Sequence, residues 1–144
     1  LPVVYGSSWP VLGRAVAEFR PHAVVALGEA PGAGLRLERV AVNLRDGGKD
    51  NAGRAAKGEP LADGAPSAYL STLPLGRIAA ALARAHVPAK TSLSAGTYLC
   101  NETFYFLMVS GAAGAYPGGA GFIHVPRNAH TRWPHALRAV INSL

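Results

Sequence analysis

The sequence predicts an α/β fold, a three-layer α/β/α sandwich with a largely parallel or mixed central sheet. Short apolar runs such as Ala23–Leu27 and Ala120–Val125, each bounded by Gly or Pro, read as buried strands. Stretches with apolar residues at helical spacing separate these runs, the alternation expected of parallel strands joined by helices. The chain has 144 residues, 49% hydrophobic and 15% charged, which suits one domain over residues 1–144 with a sizeable core.

Ser7-Ser8-Trp9-Pro10 reads as a helix start, a hydroxyl cap followed by proline in the first turn. Leu12, Ala15, Val16 and Phe19 then mark one apolar face ending before Pro21. Ala23–Leu27, bounded by Gly28, is the first strand, and Pro31 to Gly34 is a loop. Leu35 to Leu44 reads as a second strand with a break, because Leu35 and Leu37 share one phase while Val40, Val42 and Leu44 share the other. The break falls at Glu38-Arg39, where a bulge or a strand start would re-aim the carboxylate.

Arg45 to Ala68 is rich in Gly, Ala, Asp and Lys and has no sustained period, so it reads as irregular. Ser71-Thr72 is placed to cap a helix carrying Leu75, Ile78, Ala79, Leu82 and Ala85, stopped before Pro88. A short strand at Thr91–Leu93 precedes a helix from about Tyr98 to Val109. Gly111 to Gly119 is a loop, Ala120–Val125 a strand, and Trp133, Leu137, Val140, Ile141 and Leu144 mark a last helix. The runs Ala23–Leu27, Leu37–Leu44, Thr91–Leu93 and Ala120–Val125 are expected in one sheet, with Leu1 to Tyr5 available for an empty sheet position.

Lys and Arg total 14 against 8 Asp and Glu, a net charge of +6, but the basic residues are spread from Arg14 to Arg138 without a run. Nucleic-acid binding normally needs a clustered stripe or patch, so it is not expected. No apolar run approaches the ~20 residues of a membrane span, and no signal-peptide pattern is present. A single cysteine excludes an internal disulfide framework and a multi-cysteine metal site, and it points to a reducing, cytoplasmic setting. Neither a metal nor another cofactor is implied.

That cysteine, Cys100, falls at or near the first turn of the predicted helix, just after the turn at Ala95-Gly96. Unpaired backbone N–H groups and the positive end of the helix dipole stabilise a thiolate there. His124 supplies a base and Glu38 an acid, so three separate segments can assemble a Cys–His–carboxylate triad. Each residue also has an ordinary reading. Cys100 packs as a small hydrophobe, His124 bonds to backbone in the core, and Glu38 pairs with Arg36 or Arg39 on a strand surface. His22, His86, His130 and His135 are weaker candidates. The sequon Asn101-Glu102-Thr103 lies within a predicted helix and is discounted.

The segment Ser94-Ala95-Gly96-Thr97-Tyr98-Leu99-Cys100-Asn101 resembles the cysteine motif of the pyrrolidone-carboxylate peptidase family, also called pyroglutamyl peptidase I. Gly121-Phe122-Ile123-His124-Val125-Pro126 is similar to its histidine motif and Glu38-Arg39-Val40-Ala41-Val42-Asn43 to its glutamate motif. Asp50 to Gly53 and Ala65 to Pro74 match as well. The resemblance implies a cytoplasmic cysteine peptidase that removes an N-terminal pyroglutamyl residue from peptides through a thioester. It needs no metal and often assembles as a homo-oligomer. The implied catalytic residues are Glu38, Cys100 and His124; Tyr98 and Leu99, next to the cysteine, are placed either to line an apolar pocket for the lactam ring or to serve the core.

Three departures accompany the resemblance. The family's opening strand and aromatic Gly-Phe-Glu-Pro-Phe-Gly loop have no counterpart, so the domain is expected to be N-terminally incomplete. Gly48 stands where the family carries an arginine at the oxyanion site, leaving Arg45 or Lys49 to reach in. The loop from Gly28 to Glu38 is a residue shorter than usual, and the tail after Pro126 is abbreviated. Two other readings stay open: an impaired or non-catalytic relative that keeps the triad, and an α/β small-molecule binder with a structural Cys100.

Overall fold

A computed structural model describes residues 1–127 and 133–144; His130 lies outside them. Four strands form the central sheet, in the order β1 (Val24–Ala30), β8 (Ala120–Pro126), β2 (Leu35–Glu38) and β7 (Ala89–Ser92). β1 runs parallel to β8 and β2 parallel to β7, whereas β2 meets β8 antiparallel. The sheet is therefore mixed, and β1 and β7 are its edges.

Strand alternation divides the side chains between two layers. Leu35, Leu37 and Ile123 pack against Leu75, Ile78 and Leu82 of α2 (Leu75–Arg84) and Ala136 and Val140 of α4 (Trp133–Ile141). On the other face Ala120 and Phe122 meet Val16 of α1 (Ser8–Phe19) and Phe104, Leu107 and Met108 of α3 (Leu99–Ala112). Leu37, Ile78, Leu82, Ile123, Phe104 and Leu107 have no exposed surface. Burying each such side chain contributes about 1.5–3 kcal/mol, so the two apolar layers hold the sheet between helices.

Several elements depart from the sequence expectation, each for a local reason. The predicted second strand divides at Arg39. Its first half is β2, whereas β3 (Val40–Val42) leaves the central sheet and pairs antiparallel with β6 (Ala68–Leu70). Arg39 is the switch point: its N–H donates to the Ser92 carbonyl, and its own carbonyl accepts from Ser71 N–H. The Arg45 to Ala68 segment carries a short hairpin, β4 (Arg45–Gly47) with β5 (Ala56–Glu59). β1 continues through Gly28 to Ala30 because β8 supplies a partner along its whole length.

The third sheet strand is Ala89–Ser92 rather than Thr91–Leu93, and Leu93 is exposed. Neither predicted hydroxyl cap forms. Ser8 Oγ donates to the Pro2 carbonyl. Ser71 and Thr72 hydroxyls instead bind the Ala120 carbonyl, and Ala120 N–H donates to Thr72 Oγ1. α2 starts only after Pro74. Leu1 to Tyr5 adds no strand, and Ile141 faces outward from α4.

Candidate active site

Glu38 is the last residue of β2, and β2 alternation turns Arg36 and Glu38 away from the layer occupied by Leu35 and Leu37. They share the α3 face with Phe122 and His124 of β8. In the antiparallel register Glu38 lies opposite Phe122 and Arg36 opposite His124. Glu38 is completely buried and His124 nearly so. Glu38 Oε1 lies 2.7 Å from His124 Nδ1. An ionised carboxylate only accepts, so Nδ1 carries the proton and Nε2 is left for another partner.

Cys100 is the second residue of α3, half-buried, after Tyr98 in an extended N-cap conformation. Among the described residues no group accepts from the backbone N–H of Leu99, Cys100 or Asn101, as the first turn of a helix requires. The thiol lies over Gly28, the parallel register partner of His124. A methyl group on Gly28 would sit 3.1 Å from Cys100 Sγ and 2.7 Å from Phe122 Cζ, so only glycine leaves room for both. Phe122 also packs on the imidazole, with ring centroids 4.9 Å apart.

Burial by itself works against charge on His124. Hydrogen bonding to the Cys100 thiol and the Glu38 carboxylate, together with the charge of each, outweighs it and pushes the imidazole pKa from 6.5 up to about 9. The ring is thereby held as a cation between thiol and carboxylate. Arg36 adds a second cation, its Nε 3.4 Å from the same Glu38 oxygen. Glu38 Oε2 is buried without a hydrogen-bond partner among the described residues.

Asn101 fixes the start of α3 against the segment that follows Glu38. It is fully buried, accepts from Val42 N–H, and donates to the carbonyls of Val42 and Leu44. Tyr98 stacks edge-on against Tyr5 at 5.4 Å, and its hydroxyl donates to the Lys49 carbonyl. Leu99 is buried with Tyr5 and Ala56 under the β4–β5 hairpin. Arg45 does not stay free to serve the thiol: its Nε binds Glu102 Oε2 at 2.8 Å, and its guanidinium lies 5.4 Å from the Tyr5 ring centroid. Gly48 and Lys49 are exposed.

Sequence reasoning placed Glu38, Cys100 and His124 on three segments, and those segments converge on one sheet face. It read Gly28 only as a strand boundary. The signal for Gly28 is the space needed between two residues far away in the chain, which no local pattern carries. The role of Asn101 is equally silent in sequence, because its partners are the backbone groups of Val42 and Leu44. Among the described residues, no group of three His, Cys, Asp or Glu is placed to hold a metal ion, and no helix is long and apolar enough to cross a membrane.

A family model described as pyroglutamyl peptidase matches residues 1–131. A pyrrolidone-carboxylate peptidase of Pyrococcus furiosus is 43% identical over 128 residues, covering 88% of this chain and 62% of that protein. One from Gloeobacter violaceus is 47% identical over 128 residues with the same coverage of each chain. This chain thus spans about three fifths of the length of these curated relatives. Among solved structures, crystal structures of the pyrrolidone carboxyl peptidase of P. furiosus and its cysteine-free mutant superpose with a TM-score of 0.91 at 35% identity. That match covers 99% of this chain and 77% of the other.

Proposed function

This chain belongs to the pyroglutamyl peptidase family, and we propose that it is a cysteine peptidase that releases an N-terminal pyroglutamyl residue from peptides. The observation that carries the reading is the buried 2.7 Å contact between Glu38 and His124, with the Cys100 thiol beside the ring above Gly28. The thiolate is the nucleophile in such chemistry, and an adjacent imidazolium is its counter-ion. Glu38 keeps the ring oriented and offsets its charge, as a carboxylate does in other triads.

Cys100 attacks the pyroglutamyl carbonyl, forming a C–S bond and an oxyanion. The oxyanion collapses with cleavage of the C–N bond, while His124 gives its proton to the leaving amine. Water then adds to the thioester as His124 takes its proton. Breaking the C–S bond releases pyroglutamic acid and restores the thiolate–imidazolium pair. Backbone N–H groups at the start of α3 are the donors at hand for the oxyanion. Tyr98 and Leu99 are assigned to the lactam side, Tyr98 directly and Leu99 by supporting it from below.

Turnover is expected to be modest. Arg45 is held by Glu102 and Gly48 has no side chain to offer, so neither supplies the side-chain donor that the family resemblance implies beside the backbone N–H groups. Losing one such donor typically costs ~10²–10³ in turnover. The test is release of aminocoumarin from a pyroglutamyl amide, compared with a prolyl amide and with the Cys100→Ala variant. Release from the pyroglutamyl substrate alone, abolished by Cys100→Ala, supports the reading. Equal release by Cys100→Ala removes it.

A further inference from the structure

Sheet register sets four residues in one row across the α3 face: Gly28, His124, Arg36 and Lys90. Neighbouring strands lie about 4.8 Å apart, so Arg36 stands one step from His124 and Lys90 two. Cys100 covers the Gly28 end of this row. In the reaction proposed above the acyl group is bonded to Cys100, and the leaving amine takes its proton from His124. A leaving peptide that runs on along this row, away from Cys100, meets Arg36 and then Lys90.

That end of the row is cationic and open. A cavity of about 360 Å³ lies beside Arg36 and Lys90, walled by Pro31, Gly32, Gly34 and Pro88, with no acidic side chain in its lining. The Arg36 side chain is 31% exposed; its one charged partner among the described residues is Glu38, at 3.4 Å from Nε, and that buried Nε makes no hydrogen bond among the described residues. Lys90 is exposed on the edge strand and makes no ion pair among the described residues.

We propose that Arg36 and Lys90 form a subsite for a carboxylate in the leaving peptide, within two residues of the scissile bond. Two sources supply that group: an acidic side chain, or the free C-terminus of a pyroglutamyl dipeptide. The subsite deepens the peptidase reading and rests on it. Because the cleft is solvent-exposed, the expected preference is about 3- to 10-fold in kcat/KM at low ionic strength, shrinking as salt screens it.

The test measures kcat/KM for pyroglutamyl-Glu-Ala, pyroglutamyl-Ala-Ala and pyroglutamyl-Lys-Ala, all amidated, and for pyroglutamyl-Ala with and without a C-terminal amide. Each is run at low and high salt on the wild type and on Lys90→Glu. The expected order is Glu above Ala above Lys, with the free acid above its amide, and Lys90→Glu inverts it. Preference for the dipeptide acid alone assigns the subsite to a terminal carboxylate, and preference for Glu alone assigns it to a side chain. Equal cleavage of all five, or a preference that ignores both salt and Lys90→Glu, overturns the subsite and leaves the peptidase reading intact. Failure to cleave any of them, with no binding to Cys100→Ala by calorimetry, overturns both.

Discussion

Replacing Glu38 by Gln keeps the shape of a fully buried side chain and removes the charge opposite His124. A hydrogen bond to a charged group contributes about 1.5–3 kcal/mol and a neutral one about 0.5–1.5 kcal/mol. The imidazolium therefore loses roughly 1–1.5 kcal/mol of preference over imidazole, about one pH unit. With the wild-type ring titrating at about 9, its cationic fraction near pH 8.5 falls from roughly three quarters to one quarter. The active form pairs thiolate with imidazolium, so activity is lost as pH rises through the ring's pKa. The alkaline limb of the rate profile should move down by about one unit in Glu38→Gln. Loss of the charged contact in the transition state should lower kcat/KM by about 10- to 100-fold. Both quantities come from pyroglutamyl-coumarin release between about pH 5 and pH 10. An unmoved alkaline limb with kcat/KM within about threefold of wild type would refute the role given to Glu38.

Gly28→Ala forces a methyl to 2.7 Å from a buried phenyl ring and 3.1 Å from Cys100 Sγ; a stability loss of about 1–3 kcal/mol and more than a tenfold drop in turnover are expected from melting curves and the release assay. Asn101→Ala strands three backbone groups, the Val42 N–H and the carbonyls of Val42 and Leu44; it should lower stability by at least about 2–3 kcal/mol in urea titration, and a change under about 0.5 kcal/mol would contradict the anchoring role. The His124 pKa is held at about 9 in the folded protein against the ordinary 6.5 of an unfolded chain, so its stabilising contribution is whole below 6.5, shrinks between 6.5 and 9, and is gone above. Melting temperature should decline across that window, and His124→Gln should flatten the decline.

The central strands were legible because alternation and continuous apolar runs record which faces are buried. β8 and β2 carry such a record in Ala120 to Val125 and Leu35 to Leu37, whereas Val24 to Leu27 of β1, read as a buried strand, lies at the sheet edge, partly buried and with Leu27 exposed. The phase break at Glu38-Arg39 was legible too, but its outcome was not. A strand that changes face can bulge in place or change sheets, and the pairing of Val40–Val42 with Ala68–Leu70 depends on residues nearly 30 positions away. Ser71 and Thr72 look like caps in sequence because hydroxyls serve caps and loop anchors equally well. Their partner, Ala120, is a strand backbone no local window contains. The three residues of the proposed site were legible one by one from their motifs, whereas Gly28 matters only through neighbours on other elements.

Register connects these two kinds of information. The contact of Glu38 with His124 requires β2 to pair with β8 so that Arg36, and not Leu35 or Leu37, opposes His124. A slip of one residue would send Glu38 into the layer of Ile78 and Leu82 and bring Leu37 to the imidazole. Such a slip would bury a carboxylate without a cation, which costs several kcal/mol. It would also break the two backbone bonds at Arg39, to Ser92 and from Ser71, that clamp the end of β2 from both sides. The residue after the carboxylate thus does for its position what Gly28 does for the thiol: neither brings a side chain to the proposed site, and each fixes where one of that site's side chains stands.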